Sequence, residues 1–232
     1  MRKVAESSDI PIFDPDDINT LESIVRLARE NADLFVVCDY GQILSKDALA
    51  AARLGGINLH GSLLPKYRGA APINWAIYHG ETSTGVTVIH MTPKVDAGPC
   101  IAQASTPIDP NETAVELEKR LCQMGAPLIL EAIDLLDEGE VDALPQDSAQ
   151  ASRAPRLKKS DGLIDWSRPA LAVKNQIRAM EPWPRTCTLW HRADGEPVRL
   201  ILGPVDVVEM SVKSAAPGTV VEAEADRLVI AA

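Results

Sequence analysis

Hydrophobic and polar positions divide the chain into two textures. In the first, IPIF (10–13) reads as a short strand closed by Pro15. Ile18, Leu21, Ile24, Val25 and Ala28 then recur at helical spacing, which predicts an amphipathic helix from Asp17 to Glu30. ADLFVVC (32–38) is an unbroken apolar run of strand length, the kind a parallel sheet buries on both faces. A short helix over 46–52 and a strand in GGINLH (55–60) follow. APINWAIYHG (71–80) has Pro72 near its start and Gly80 just past its end, the usual asymmetry of a helix. TGVTVIHM (84–91) and CIAQAS (100–105) read as further strands. Thr113 and Glu116 have the spacing of a capping box opening a long helix, apolar from Val115 to Leu136 and stopped by Gly139. Strands alternating with helices predict an α/β fold with a mostly parallel, doubly wound sheet.

The texture changes after residue 140. PQDSAQASRAPRLKKSDG (145–162) is polar, basic and proline-containing, and reads as a linker. Ser167 to Met180 reads as one more helix. Beyond Trp183 come the short runs TCTLW, VRLILG, VDVVEM, GTVVEA and RLVIAA, split by Gly, Pro and Asp, the spacing of a small antiparallel barrel or sandwich. The expected organisation is a catalytic domain over 1–147, a basic linker over 148–160 and a small β domain over 161–232.

Composition narrows this further. The 232 residues are 46% hydrophobic, enough for a substantial core, yet no apolar run approaches the roughly 20 residues of a membrane span. No hydrophobic segment follows the basic start as it would in a secretory signal, so a soluble cytoplasmic protein is expected. Cys38, Cys100, Cys122 and Cys187 are far apart in no metal-ligand spacing and read as reduced thiols. The net charge of −10 is unevenly spread: residues 1–150 carry 11 basic against 23 acidic side chains, whereas 151–200 carry 10 against 5. Such a basic block is either a solvated face or a contact for a polyanion.

The candidate chemistry lies in INLHGSLLPKYRGAAPI (57–73). Asn58 and His60 are two apart at the end of a predicted strand, so both face the same way while Leu59 turns toward the core. An Asn amide can donate to a developing oxyanion, and an imidazole can do the same or move a proton. Asp96, in the Gly/Pro-bounded loop KVDAGP, is the leading carboxylate to orient that imidazole, on the expectation that it too leaves the carboxyl edge of the sheet. An amide, an imidazole and a carboxylate together suit attack on a carbonyl carbon. Ser62 lacks the G-x-S-x-G elbow of a nucleophile, and His60, His79 and His90 lack zinc-site spacing, so no metal is expected.

The block from 57 to 99, INLHGSLLPKYRGAAPINWAIYHGETSTGVTVIHMTPKVDAGP, resembles the signature region of the folate-dependent formyltransferases. IDWSRPA and IRAMEPWP, within 152–184, narrow the resemblance to the methionyl-tRNA formyltransferase family. That resemblance implies formyl transfer from 10-formyltetrahydrofolate to the amino group of methionine on initiator tRNA, by a monomer. It implies that Asn58 and His60 hold the oxyanion, that His60 handles the proton of the leaving nitrogen, and that Asp96 tunes His60. Ser62, Leu63, Leu64 and Pro65 match the folate-contacting segment, and Tyr40, Gly41, Gln42, Ile43 and Leu44 would face the pterin. Asp39 replaces the small residue expected before Tyr40-Gly41. The C-terminal segment resembles an OB-like barrel, and Arg153, Arg156, Lys158 and Lys159 are the candidate tRNA phosphate contacts.

On the family pattern the opening strand, helix, second strand and basic loop do not precede Met1, and the barrel is incomplete at RLVIAA. A fragment is therefore expected, with the strand at 32–38 left as an exposed apolar edge. Two other readings stay open on the residues: a formyltransferase or deformylating hydrolase with another acceptor, and a non-catalytic RNA-binding remnant.

Overall fold

The computed structural model describes residues 2–192, 194–209 and 215–232. Helix α1 (Arg2–Ser7) is followed by a stretch in which residues 10–13 form no strand, and Ile10 and Phe13 stay 57% and 48% exposed. The expected strand fails for a physical reason: no described segment supplies the ladder partner that a strand needs. Helix α2 (Leu21–Arg29) is shorter than the pattern suggested because Thr20 caps it, its hydroxyl accepting from the Ser23 N–H at 3.2 Å. Strand β1 (Phe35–Val37), helix α3 (Lys46–Leu49) and strand β2 (Gly56–His60) complete a parallel βαβ step, with Val37 beside Asn58.

Helix α4 (Pro72–Tyr78) has Pro72 in its first turn and ends before Gly80, whose φ of +74° needs glycine. Strands β3 (Ser83–His90) and β4 (Cys100–Pro107) then form a hairpin, and the sheet order is β1-β2-β3-β4. The α/β class stands, but the sheet is mixed rather than mostly parallel: β1 and β2 are parallel, while β2–β3 and β3–β4 are antiparallel. Apolar runs report burial, and burial on both faces does not fix strand direction. As expected, β1 is an edge strand, and Val36 on it is 50% exposed.

Helix α5 (Ala114–Glu138) is opened by the capping box of Thr113 and Glu116 and closed by Gly139 in the left-handed conformation. It covers one face of the sheet, burying Ile57 and Val88 with Ala132. Gly125 lets it approach β2 closely, because a Cβ there would meet the Leu59 side chain. Leu59 thus points into the core, and its neighbours Asn58 and His60 are left for the opposite face.

The stretch read as a linker is a packed strap. Residues 152–154 run beside 67–71: Arg68 N–H donates to Ser152 O at 2.9 Å, and Ala154 N–H donates to Arg68 O at 2.7 Å. Ala71 N–H donates to Ala154 O at 3.2 Å, and Ala154 is fully buried. Helix α6 (Ala170–Ala179) follows and packs on α4, with the Asn74 amide donating to Ala179 O. Strands β5 (Thr186–Trp190) and β6 (Val198–Leu202) form one hairpin, and β7 (Val220–Glu224) and β8 (Arg227–Ile230) another. No ladder joins the two hairpins among the described residues. Of the run VDVVEM, residues 205–209 form no strand and Met210 lies outside the described residues.

Candidate active site

Strand β2 ends at His60, which is 5% exposed, and its imidazole lies between two oxygen acceptors. Nε2 is 2.8 Å from the carbonyl oxygen of Tyr67, and Nδ1 is 3.6 Å from Asp96 Oδ2. The Tyr67 carbonyl can only accept, so Nε2 carries a proton. The gap at Nδ1 exceeds a hydrogen bond, and contacts of this kind in free enzymes commonly tighten around substrate. Asn58, half-buried on the same face of β2, makes no side-chain hydrogen bond among the described residues, so its amide is available to a ligand.

Asp96 reaches His60 by a route the parallel picture did not contain. Because β3 is antiparallel to β2, His90 pairs with Ile57 near the start of β2, not with His60. The loop after β3 must therefore double back along the sheet. After Asp96 the chain rejoins β3 at Gly98, where a Cβ would collide with the His90 carbonyl, and the His90 N–H donates to Pro99 O at 2.9 Å. Asp96 sits in this loop with φ +47°, and its Oδ2 accepts from the Gly69 N–H at 2.8 Å. The imidazole and the carboxylate expected to pair lie 3.6 Å apart, and the carboxylate arrives from a returning loop rather than from a strand's carboxyl edge.

The remaining candidates fall into two groups. Tyr40 to Leu44 follow β1 at the same end of the sheet as Asn58; Tyr40 and Ile43 are exposed, and Leu44 is buried. Gln42 is tied down, its Oε1 accepting from Ile18 N–H at 2.8 Å. Asp39 takes a φ of +49° just before this loop. Ser62, Leu63, Leu64 and Pro65 follow β2 directly. The Ser62 hydroxyl is fully buried and donates to Lys66 O at 2.7 Å, so it shapes the loop rather than facing solvent. Leu64 is buried as well, its N–H donating to Thr87 Oγ1 at 3.1 Å.

Arg153, Arg156, Lys158 and Lys159 are all exposed, and none forms an ion pair among the described residues. Arg153 lines a half-open cleft of about 530 Å³ together with Arg68, Lys94, Val95, Ala97 and Ser152. Val95 and Ala97 flank Asp96, so three cations line an opening next to the His60–Asp96 pair.

Residues 3–133 match the Formyl transferase family, and residues 156–232 match the Formyl transferase, C-terminal domain family. The chain belongs to the formyl transferase family. Among its relatives, the methionyl-tRNA formyltransferase of Rhodopirellula baltica is 52% identical over 190 residues, covering 79% of this chain and 57% of that protein. The methionyl-tRNA formyltransferase of Pelobacter propionicus is 42% identical over 234 residues, covering all of this chain and 70% of that protein. The chain thus spans less than two thirds of the first of these and slightly more of the second. Among solved structures, the N-formyltransferase of Helicobacter canadensis in complex with folinic acid and dTDP-3-aminofucose has a TM-score of 0.63 at 22% identity. It covers 83% of this chain and 72% of that one, which places the two in one fold. The family expected from residues 57–99 and 152–184 is borne out.

Two residues around the His60–Asp96 pair carried no local signal in the sequence. Thr87, opposite His60 on β3 and fully buried, donates its hydroxyl to Ser62 O at 2.7 Å and accepts from Leu64 N–H. Gly69, with φ +129°, presents its N–H to Asp96 while passing close against Ala154. A cross-strand register could have pointed to Thr87; nothing local points to Gly69.

Proposed function

We propose that this chain transfers the formyl group of 10-formyltetrahydrofolate to the α-amine of methionine carried by initiator tRNA, in the cytoplasm. The observation that carries the reading is that Asn58 and His60 share one face of β2, with the Asp96 carboxylate 3.6 Å from His60, beside a cleft edged by Arg68, Lys94 and Arg153. The Rhodopirellula baltica and Pelobacter propionicus relatives are named methionyl-tRNA formyltransferases, and the Helicobacter canadensis structure holds folinic acid.

The folate co-substrate supplies an electrophilic formyl carbon on a nitrogen leaving group. The exposed Tyr40 and Ile43, one strand away from Asn58, offer an apolar and aromatic surface of the kind a flat pterin ring takes. Gly41 has open space around it, so a ring can approach the backbone there. Gln42, Leu44 and the Ser62–Pro65 turn hold the walls of that surface in place. As the amine adds, negative charge collects on the formyl oxygen, where the Asn58 amide can donate to it, joined by the His60 Nε2–H once substrate displaces the Tyr67 carbonyl from it. His60 gives a proton to the folate nitrogen as its bond to the formyl carbon breaks and takes up the proton that the attacking amine sheds as the new C–N bond forms, while the Asp96 carboxylate stabilises the charged imidazole from the Nδ1 side.

The acceptor end of a tRNA brings phosphates to the cleft. Arg153 meets them at its rim, and Arg156, Lys158 and Lys159 continue the basic surface along the strap. The test is formylation of methionyl-tRNA by this chain with and without the folate donor. Asn58→Ala is expected to lower kcat roughly 10²- to 10³-fold, the scale of a lost oxyanion donor. Normal turnover in Asn58→Ala, or tRNA binding that does not weaken as salt rises, refutes the reading. Tight tRNA binding without turnover favours the RNA-binding alternative.

A further inference from the structure

We propose that Gln146 is a positioning residue for the His60–Asp96 pair, an inference that rests on the formyl-transfer reading above. Gln146 lies just after the Leu144 β-bridge, in a segment with no side chain in contact with His60 by hydrogen bond. Its carboxamide nevertheless uses its full capacity within one small region. Oε1 accepts from Arg68 Nε at 3.0 Å and from Arg68 Nη2 at 2.7 Å. Nε2 donates to Asp96 O at 2.8 Å and to Gly98 O at 2.7 Å. An amide has two acceptor sites and two protons, and here all four are engaged.

The pattern matters because of what it ties together. Asp96 has a φ of +47°, which a non-glycine residue keeps only when its surroundings hold it there. Two contacts do so: the Gly69 N–H grips its carboxylate, and Gln146 grips its carbonyl. Gln146 itself is anchored two residues away, where Cys100 N–H donates to Leu144 O at 2.8 Å and Leu144 N–H donates to Cys100 O at 2.9 Å. The same side chain also fixes the guanidinium of Arg68, which lines the cationic cleft. Gln146 therefore couples the carboxylate that faces His60 to the wall of the acceptor opening. The loop that had to double back to reach His60 is held in its returned position from outside the pair.

The test combines three variants with one measurement that needs no turnover. Gln146→Ala is expected to lower kcat roughly 10- to 100-fold, the scale of a misplaced catalytic group, while KM for the formyl donor stays within about twofold. Gln146→Glu keeps an acceptor for Arg68 but turns an oxygen toward the Asp96 and Gly98 carbonyls, so it should be no better than alanine. A residue that only anchored Arg68 would be rescued by glutamate. In an Asp96→Asn background, Gln146→Ala should cost less than about twofold more, because its effect runs through Asp96. A full additive loss there overturns the proposal. Independently, amide hydrogen exchange at Gly69 should accelerate at least tenfold or so in Gln146→Ala, with Cys100 and Leu144 still protected. Unchanged exchange at Gly69 overturns the positioning role whether or not the chain turns over. Accelerated exchange in a chain without formyl transfer leaves positioning intact and sinks the reaction assignment instead.

Discussion

Replacing Gly69 with alanine isolates the contact on which the Asp96 loop rests. Two effects combine at this position. The first is backbone strain: φ is +129°, outside the basins open to residues with a side chain, which costs about 1–3 kcal/mol. The second is a collision of the new Cβ with the Ala154 carbonyl, so the strap at 152–154 must move away. Moving it endangers the bonds from Ala154 N–H to Arg68 O and from Ala71 N–H to Ala154 O, each worth a net of about 0.5–1.5 kcal/mol. Together these give a loss of about 2–6 kcal/mol. Gly139→Ala is the internal control: it has φ +73° but open space where the Cβ would go, so it should cost only the left-handed strain of about 1–2 kcal/mol. Urea unfolding of both variants, compared by midpoint at constant m-value, reads the difference. If Gly69→Ala proves no more destabilising than Gly139→Ala, the strap does not press on the loop as described.

Two further perturbations probe other parts of the chain. Burial pushes the Glu81 carboxyl up, but the Tyr67 hydroxyl at 2.8 Å and the Lys66 ammonium at 3.1 Å outweigh it and hold Glu81 below the usual carboxylate range. A depressed carboxyl stabilises the fold above about pH 4.5, its ordinary value, and loses that contribution as pH falls through its folded value. Glu81→Gln should therefore lose up to about 1 kcal/mol relative to the parent at pH 6 and less at pH 3, measured by urea midpoints; an equal gap at both pH values refutes the ion-pair account. On the sheet edge, Val36→Lys should slow self-association in light scattering while changing stability by less than about 0.5 kcal/mol, because β1 pairs only with β2 and Val36 is half exposed. Unchanged aggregation would place the sticky surface elsewhere.

What could be read directly from the sequence was what local rules determine. Asn58, Leu59 and His60 alternate on a strand, and the structure sends Leu59 into the core beside Gly125 while the other two face away. Thr113 and Glu116 form their capping box, and Gly139 ends the helix, because these contacts span at most a few residues. Strand direction was not readable, since an apolar run such as TGVTVIHM buries equally well whichever way its neighbour points. The segment at 10–13 has a strand's composition but no described partner, and a strand exists only through its ladder.

The strap was the instructive failure, and it shows where the site's geometry is stored. Residues 145–162 look like a tether because their composition is polar, basic and proline-containing. Yet Ala154 is fully buried, Ser152 Oγ accepts from Tyr67 N–H, and Gln146 holds both Arg68 and Asp96. These partners are separated by 50 to 85 residues in sequence, so no period or motif announces them. Tyr67 in turn supplies the carbonyl that orders His60 Nε2, and Gly69 the N–H that orders Asp96. The polar ends of the imidazole and the carboxylate are therefore set by a turn that the strap clamps, and the same strap carries Arg153 and the basic surface beyond it. A force that moves the basic surface, such as the approach of a polyanion, acts on the segment against which the His60–Asp96 pair is braced.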